Sequence, residues 1–242
     1  MNRPPQHRRL DPGVERRRRL NTLLVTVPGL LNELLKPLLG AGRFPFMVRV
    51  LALAPAYHRR FARATDDAQL RAVKRTFLLV GVLHHQLVRR LGEPVALATT
   101  REFLYRLACS VQRKAYFPPA GQEPTWEHFH LEHEAQMEEG FISTNENGGV
   151  FHTDSSVTLQ IVRCRFHECF RDMGEAAITE AFCRSDETVF NEYSPRMRFH
   201  RGAERPDTIA RGAARCSFIY ERVLPPPGVA TRGDPHHPDC KQ

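Results

Sequence analysis

"SSVTLQIVRCRFHECFRDMGEAAITEAFC", residues 155–183, changes its periodicity part-way, and that change decides the fold. Its opening is roughly alternating and rich in β-branched residues (Val157, Thr158, Ile161, Val162), which predicts a strand. From His167 onward the spacing turns helical. One or two turns are expected first, then past Gly174 a second helix that Cys183 closes. Downstream, "PRMRFHRGA" (195–203) and "ARCSFIYERV" (214–223) alternate apolar and polar residues as half-buried strands do. Residues 150–224 therefore predict an α+β core with an antiparallel sheet. "TNENGG" (144–149) reads as the turn cluster that precedes it.

Upstream of that cluster the pattern is helical throughout. "DDAQLRAVKRTFLLVGVLHHQLVRRLG" (66–92) opens on a capping aspartate, spaces its leucines and valines by three and four, and ends in glycine. "TTREFLYRLACSVQRKAY" (99–116) predicts a helix capped by Thr100. "TWEHFHLEHEAQMEEG" (125–140) predicts one capped by Thr125 and stopped at Gly140. "GRFPFMVRVLALAPAYHRRFARA" (42–64) predicts another, interrupted near Pro55. The fold class expected is α+β: a helical N-terminal half, residues 15–140, packed on a smaller C-terminal α/β domain with an antiparallel sheet. Residues 1–14 and 225–242 read as disordered tails.

The chain has 242 residues and a formal net charge of +8. Much of that charge is local, since residues 1–20 hold seven arginines against one aspartate and one glutamate. No aromatic-interleaved basic motif follows, so nucleic acid is not an expected partner. The segment "LNTLLVTVPGLLNELLKPLLGAG" (20–42) is interrupted by Asn21, Pro28, Asn32, Glu33, Lys36 and Pro37. It matches neither a secretory signal nor a transmembrane helix, though an amphipathic helix resting on protein or membrane fits it. A cytoplasmic location with reduced cysteines follows from the missing export signal. A homo-oligomer is compatible with all of this.

Three groups of residues have the chemistry of a site. The first is Cys164, Cys169, Cys183 and Cys216, with Asp186 three residues beyond Cys183. A strand ending at Cys164 and turning into a helix aims amides at the thiol, which would ease its deprotonation. The same thiols could gather a thiophilic metal, although no CxxC pair occurs, or they could simply pack in the core. The second group is "EHFHLEHE" (127–134), where Glu127, His130 and His133 or Glu134 would share a helix face, with His84 and His85 as further candidates. The third is "HRGAERPDTIARGAARCSF" (200–218), whose Arg201, Arg205, Arg211 and Arg215 suit a carboxylate or phosphate, with exposed hairpin arginines as the plain alternative. P-loop, GxGxxG and GxSxG motifs do not occur.

"VTLQIVRCRFHECFRDMGEAAITEAFCRSDE", "RMRFHRG" and "TIARGAARCSFIY", taken in order, resemble the L-2-amino-thiazoline-4-carboxylic acid hydrolase family. The resemblance covers about residues 150–222, with a looser helical half before it, and falls on Cys164, Glu168, Cys183, Asp186, Arg201, Thr208, Gly212 and Cys216. It implies a hydrolase that opens a C–N or C=N bond of a small carboxylated cyclic amidine or thiazoline, with no cofactor or metal. Cys183 would be a nucleophile or pocket thiol beside Cys164, and Asp186 and Glu168 would be the acid/base candidates. Arg201 or Arg205 would hold the substrate carboxylate, with Thr208 and Cys216 lining the site. "RGAERPDT" is longer than the family pattern, which leaves both arginines eligible, and Ser217 stands where an acidic residue often follows the cysteine. Two other readings remain: a small-molecule-binding domain without turnover, and a metal-dependent enzyme using the His/Glu-rich helix.

Overall fold

The computed structural model describes residues 12–223. The expected C-terminal tail 225–242 and residues 1–11 of the N-terminal one lie outside the described residues. Residues 12–14 are helical rather than tail, because α1 (Pro12–Asn21) starts on a proline, whose preset φ and missing N–H suit a first helical position. A π-helical turn (Thr22–Thr26) leads into α2 (Val27–Leu39) and a 3₁₀ turn (Gly40–Gly42) into α3 (Arg43–Tyr57). Next come α4 (Ala68–Leu91), α5 (Glu93–Tyr116) and α6 (Trp126–Glu138). The C-terminal part runs β1 (Glu146–His152), β2 (Ser156–Arg163), α7 (Arg165–Asp172), α8 (Glu180–Glu192), β3 (Met197–His200) and β4 (Cys216–Arg222). The fold is α+β.

Side-chain chemistry sets most of the helix ends. Asp67 Oδ1 accepts from the Leu70 amide at 2.9 Å, and Gly92 closes α4 with φ 85°. Thr125 Oγ1 accepts from the His128 amide at 3.1 Å. Thr100 is no cap: α5 begins seven residues earlier with Pro94 in its first turn, and the Thr100 hydroxyl is buried 3.2 Å from His84 Nδ1. Nor does Pro55 end α3, which runs on to Tyr57 and continues as a π-helical turn (His58–Ala62). In the last α-helical turn a proline forfeits only one backbone hydrogen bond.

The sheet order is β1-β2-β4-β3, all antiparallel, with Ile161 opposite Cys216, Val157 opposite Tyr220 and Phe199 also opposite Tyr220. β1 was hidden in the expected turn cluster. Gly148 belongs to this strand because a Cβ there would stand 2.4 Å from Val162 Cγ1, and the register shifts between Asn147 and Gly149. Alternation points Val157, Leu159, Ile161, Met197, Phe199, Cys216 and Tyr220 to the buried face.

The helices and the sheet share their core. One cluster joins Leu83, Leu87, Phe103 and Leu104 of α4 and α5 to Phe170 and Met173 of α7 and the turn after it. A second packs Tyr116, Phe129, Phe190, Phe199 and Tyr220, with Phe129 and Tyr220 centroids 4.7 Å apart. Helix α8 lies between α5 and β3, and its two flanks build the site.

Candidate active site

Cys183 and Asp186 stand three residues apart on α8, so one helical face presents both, and both are buried. Arg201 follows β3 and keeps the alternation of Met197 and Phe199, so it points inward beneath the same helix. Its guanidinium lies 4.4 Å from the Phe218 ring centroid and 5.4 Å from that of Phe199. Nη2 donates to Asp186 Oδ2 at 2.8 Å and to the Cys183 carbonyl at 3.4 Å. Nε and Nη1 are buried without a hydrogen-bond partner, and Glu187 Oε1 stands 3.7 Å from Nε in an ion pair.

The second anchor of Asp186 comes from the helical half. Gln112 Nε2 of α5 donates to Asp186 Oδ1 at 2.6 Å. One turn on, Tyr116 is fully buried with its hydroxyl unpartnered, and so is Tyr220 of β4. Both phenols are pushed well above 10 by burial first, then Tyr116 by the nearby Asp186 charge and Tyr220 by Tyr116 and Asp186. Gln112 Oε1 and Thr208 Oγ1 are likewise buried and unpartnered. Native proteins seldom leave such groups idle, because each costs about 1–3 kcal/mol when desolvated unpaired. Gln112 joins the ion pair through its bond to Asp186, and both phenols lie close enough to feel that charge, so these unpartnered atoms collect around one buried carboxylate.

Burial controls the protonation here. Asp186 is raised to about 6, because its desolvation outweighs the pull of Arg201 and Gln112. Cys183 is raised to about 12, by burial first, with Asp186, Cys216 and Cys164 adding to it against the pull of Arg201. Cys164 also reaches about 12. It makes no capping hydrogen bond, and the amides of Phe166 and His167 lower its pKa less than burial raises it. Cys216 is raised by burial while its Sγ accepts from the Ile209 amide at 3.1 Å. Of the readings open for these thiols, desolvation favours the protonated, packed form over a thiolate activated by a helix N-terminus.

The structure gathers Cys164, Cys183, Cys216, Asp186 and Arg201 in one buried neighbourhood. Thr208 adjoins it through Ile209, in a 3₁₀ turn that Gly212 closes at φ 97°. Glu168 is held elsewhere: it grips Arg163 through both carboxylate oxygens, at 2.6 and 2.8 Å, in a network that reaches Asp67. Arg205 is exposed, its Nη1 satisfied by the carbonyls of Gly202 and Glu204, so the two arginines are not interchangeable. Cys169 is a core thiol. On α6, Glu127, His130 and Glu134 share one face and line an open pocket, with His130 Nδ1 3.7 Å from Glu134 Oε1, while the alternative His133 does not join them. His133 is buried against Phe129 and Tyr220, whereas Glu127 is exposed beside Arg222. Among the described residues no three His, Cys, Asp or Glu side chains converge in a metal-ligating group.

The family model for L-2-amino-thiazoline-4-carboxylic acid hydrolases matches residues 71–220. The chain belongs to that family. The match takes in every residue of the buried cluster and extends well back into the helical half, beyond the span from which the resemblance was read. Comparison with curated proteins and with solved structures returned no match. Family membership makes a hydrolase the coarse functional class. Gln112, Tyr116 and Tyr220 are the members of the site that sequence reasoning missed. Gln112 stands among apolar helix positions, and a buried polar residue there was the one available signal.

Proposed function

We propose that the protein is a hydrolase that opens the C–N or C=N bond of a small carboxylated cyclic amidine or thiazoline-like substrate. The observation that carries this reading is the buried Arg201, with two free donor atoms beside a carboxyl group of raised pKa. A guanidinium carries five N–H donors, and those on Nε and Nη1, on opposite edges of the plane, are each left to make a hydrogen bond to a substrate carboxylate. At neutral pH Asp186 is mostly ionised and able to take a proton from water, and a pKa near the working pH is where such a base is most effective.

In this reading Asp186 removes a proton from water as its oxygen adds to the amidine-like carbon. The unpartnered phenol hydroxyls of Tyr116 and Tyr220 donate to charge developing on the ring heteroatoms. Asp186 then returns the proton to the departing nitrogen, so no net proton is consumed by the enzyme. Cys183, protonated at rest, serves as a pocket wall rather than as the attacking group. The test is turnover of L-2-amino-thiazoline-4-carboxylic acid and related cyclic amidines, followed by mass spectrometry. Conversion by the protein, and its loss in a folded Asp186→Asn variant, is the expected result. Binding without conversion across that set would make the protein a carrier and sink the hydrolase reading.

A further inference from the structure

The N-terminal helices expose a surface that the site does not use. From Arg16 to Ala62 the chain is long and apolar enough to cross a membrane, yet only 6% of its most apolar window is buried within the protein. Apart from Arg43 and Arg49, helix α3 is made of apolar residues. Val50 is buried and Met47, Leu53 and Tyr57 pack against the core, while Phe44, Val48 and Leu51, at i, i+4 and i+7, are 63%, 66% and 56% exposed. Leu20, Leu23 and Leu24, at i, i+3 and i+4, form a second stripe, with Leu24 72% exposed. A helix this apolar belongs in a core or in lipid, and protein covers only one side of it.

The charge says what covers the other side. Residues 16–63 hold nine arginines and one lysine against one acidic residue, Glu33, and that glutamate is already paired with Arg106 at 2.6 Å. Arg16, Arg17 and Arg19 precede the leucine stripe, and Arg49 stands between Val48 and Leu51, all exposed. Long basic side chains can lie along an apolar face and reach headgroup phosphates while leucine and phenylalanine enter the acyl boundary.

We propose that this helical hairpin docks the protein on the surface of a bilayer containing anionic lipid, without spanning it. Spanning does not suit the fold, because α2 and α3 stay fixed to the core through Leu35 and Val50.

The test is co-sedimentation of the full chain with phosphatidylcholine vesicles, plain or carrying about one-third phosphatidylglycerol, an anionic fraction that should attract the basic surface. Binding to the anionic vesicles alone is expected. Phe44→Ser/Val48→Ser/Leu51→Ser should weaken it at least about tenfold at unchanged melting temperature, since these exposed groups gain contact only in lipid. Protein left in the supernatant with anionic vesicles would overturn the proposal. So would triple-variant binding equal to that of the unaltered chain, which would assign adhesion to arginines alone. Concentration-dependent self-association lost in that variant, without vesicle binding, would give the surface to a second copy. Resistance to an alkaline carbonate wash would replace docking with insertion.

Discussion

If Asp186 is the base, the acid limb of the pH–rate profile belongs to it. The carboxyl is raised from 3.8 to about 6. That shift of roughly two pKa units corresponds to about 3 kcal/mol of preference for the neutral form. The carboxylate is then about nine-tenths ionised at pH 7 and about one-tenth at pH 5, so kcat/KM should fall about tenfold for each pH unit below 6. Gln112 and Arg201 both hold the pKa down, so removing either should move the limb toward higher pH. Gln112→Leu should do so with little change in KM, whereas Arg201→Leu should also raise KM by removing the carboxylate's partner. The assay is initial rates by mass spectrometry from pH 4.5 to 8.5, with circular dichroism to confirm folding at each pH. A rate that stays flat to pH 4.5 refutes the reasoning. So does an unshifted limb in folded Gln112→Leu, because the hydrogen bond at 2.6 Å would then have no bearing on the titrating group.

Cys183→Ser should keep turnover within about tenfold of the unaltered chain and cost about 1–3 kcal/mol of stability, since a protonated thiol is replaced by a poorly partnered hydroxyl. Near-complete loss of rate at unchanged fold would restore Cys183 as nucleophile. Tyr220→Phe deletes an unpartnered buried hydroxyl, so chemical denaturation should show equal or higher stability while KM or kcat worsens; a loss above about 1 kcal/mol would mean that the hydroxyl has a structural partner. Burial lowers His133 from 6.5 to about 3, leaving it neutral in the fold. The unfolded chain therefore binds one more proton between those values, and stability present above pH 6.5 is lost as pH falls toward 3. At pH 4.5 the loss is about 3 kcal/mol. His133→Gln should flatten that dependence in urea titrations at pH 7 and 4.5, and an unchanged slope would count against it.

The parts of the fold that were legible in the sequence are those set by neighbours along the chain. Asp67 and Thr125 announced their helices because a cap is a contact across three residues. The strand ending at Arg163 showed in its own alternation. Thr100 misled because a threonine at the head of an apolar-periodic run resembles a cap, and nothing local shows that its hydroxyl answers His84. β1 was lost because Gly148 and Gly149 read as turn residues, although Gly148 is required by the close approach of Val162 from the next strand. In the site, Cys183 and Asp186 were singled out together, but Cys183 was expected to close its helix, whereas α8 begins at Glu180 and carries both. The unpaired hydroxyls of Tyr116 and Tyr220 become visible only when three elements converge. The state of the thiols stayed open for a similar reason: the amides near Cys164 are local, while the desolvation that outweighs them comes from the whole fold.

Gln112 reaches its carboxylate across 74 positions of sequence. The proposed site is therefore not a portable module. A fragment cut at the start of the sheet would take Cys183, Asp186 and Arg201 with it and leave behind the group that orients the acid, together with one of its two phenols. Grafting that fragment onto another member's helices would succeed only where the donor supplies a matching amide at the same turn. Substitutions on α5 and α8 are bound to one another in the same way, and drift in substrate preference should proceed through paired changes on these two helices.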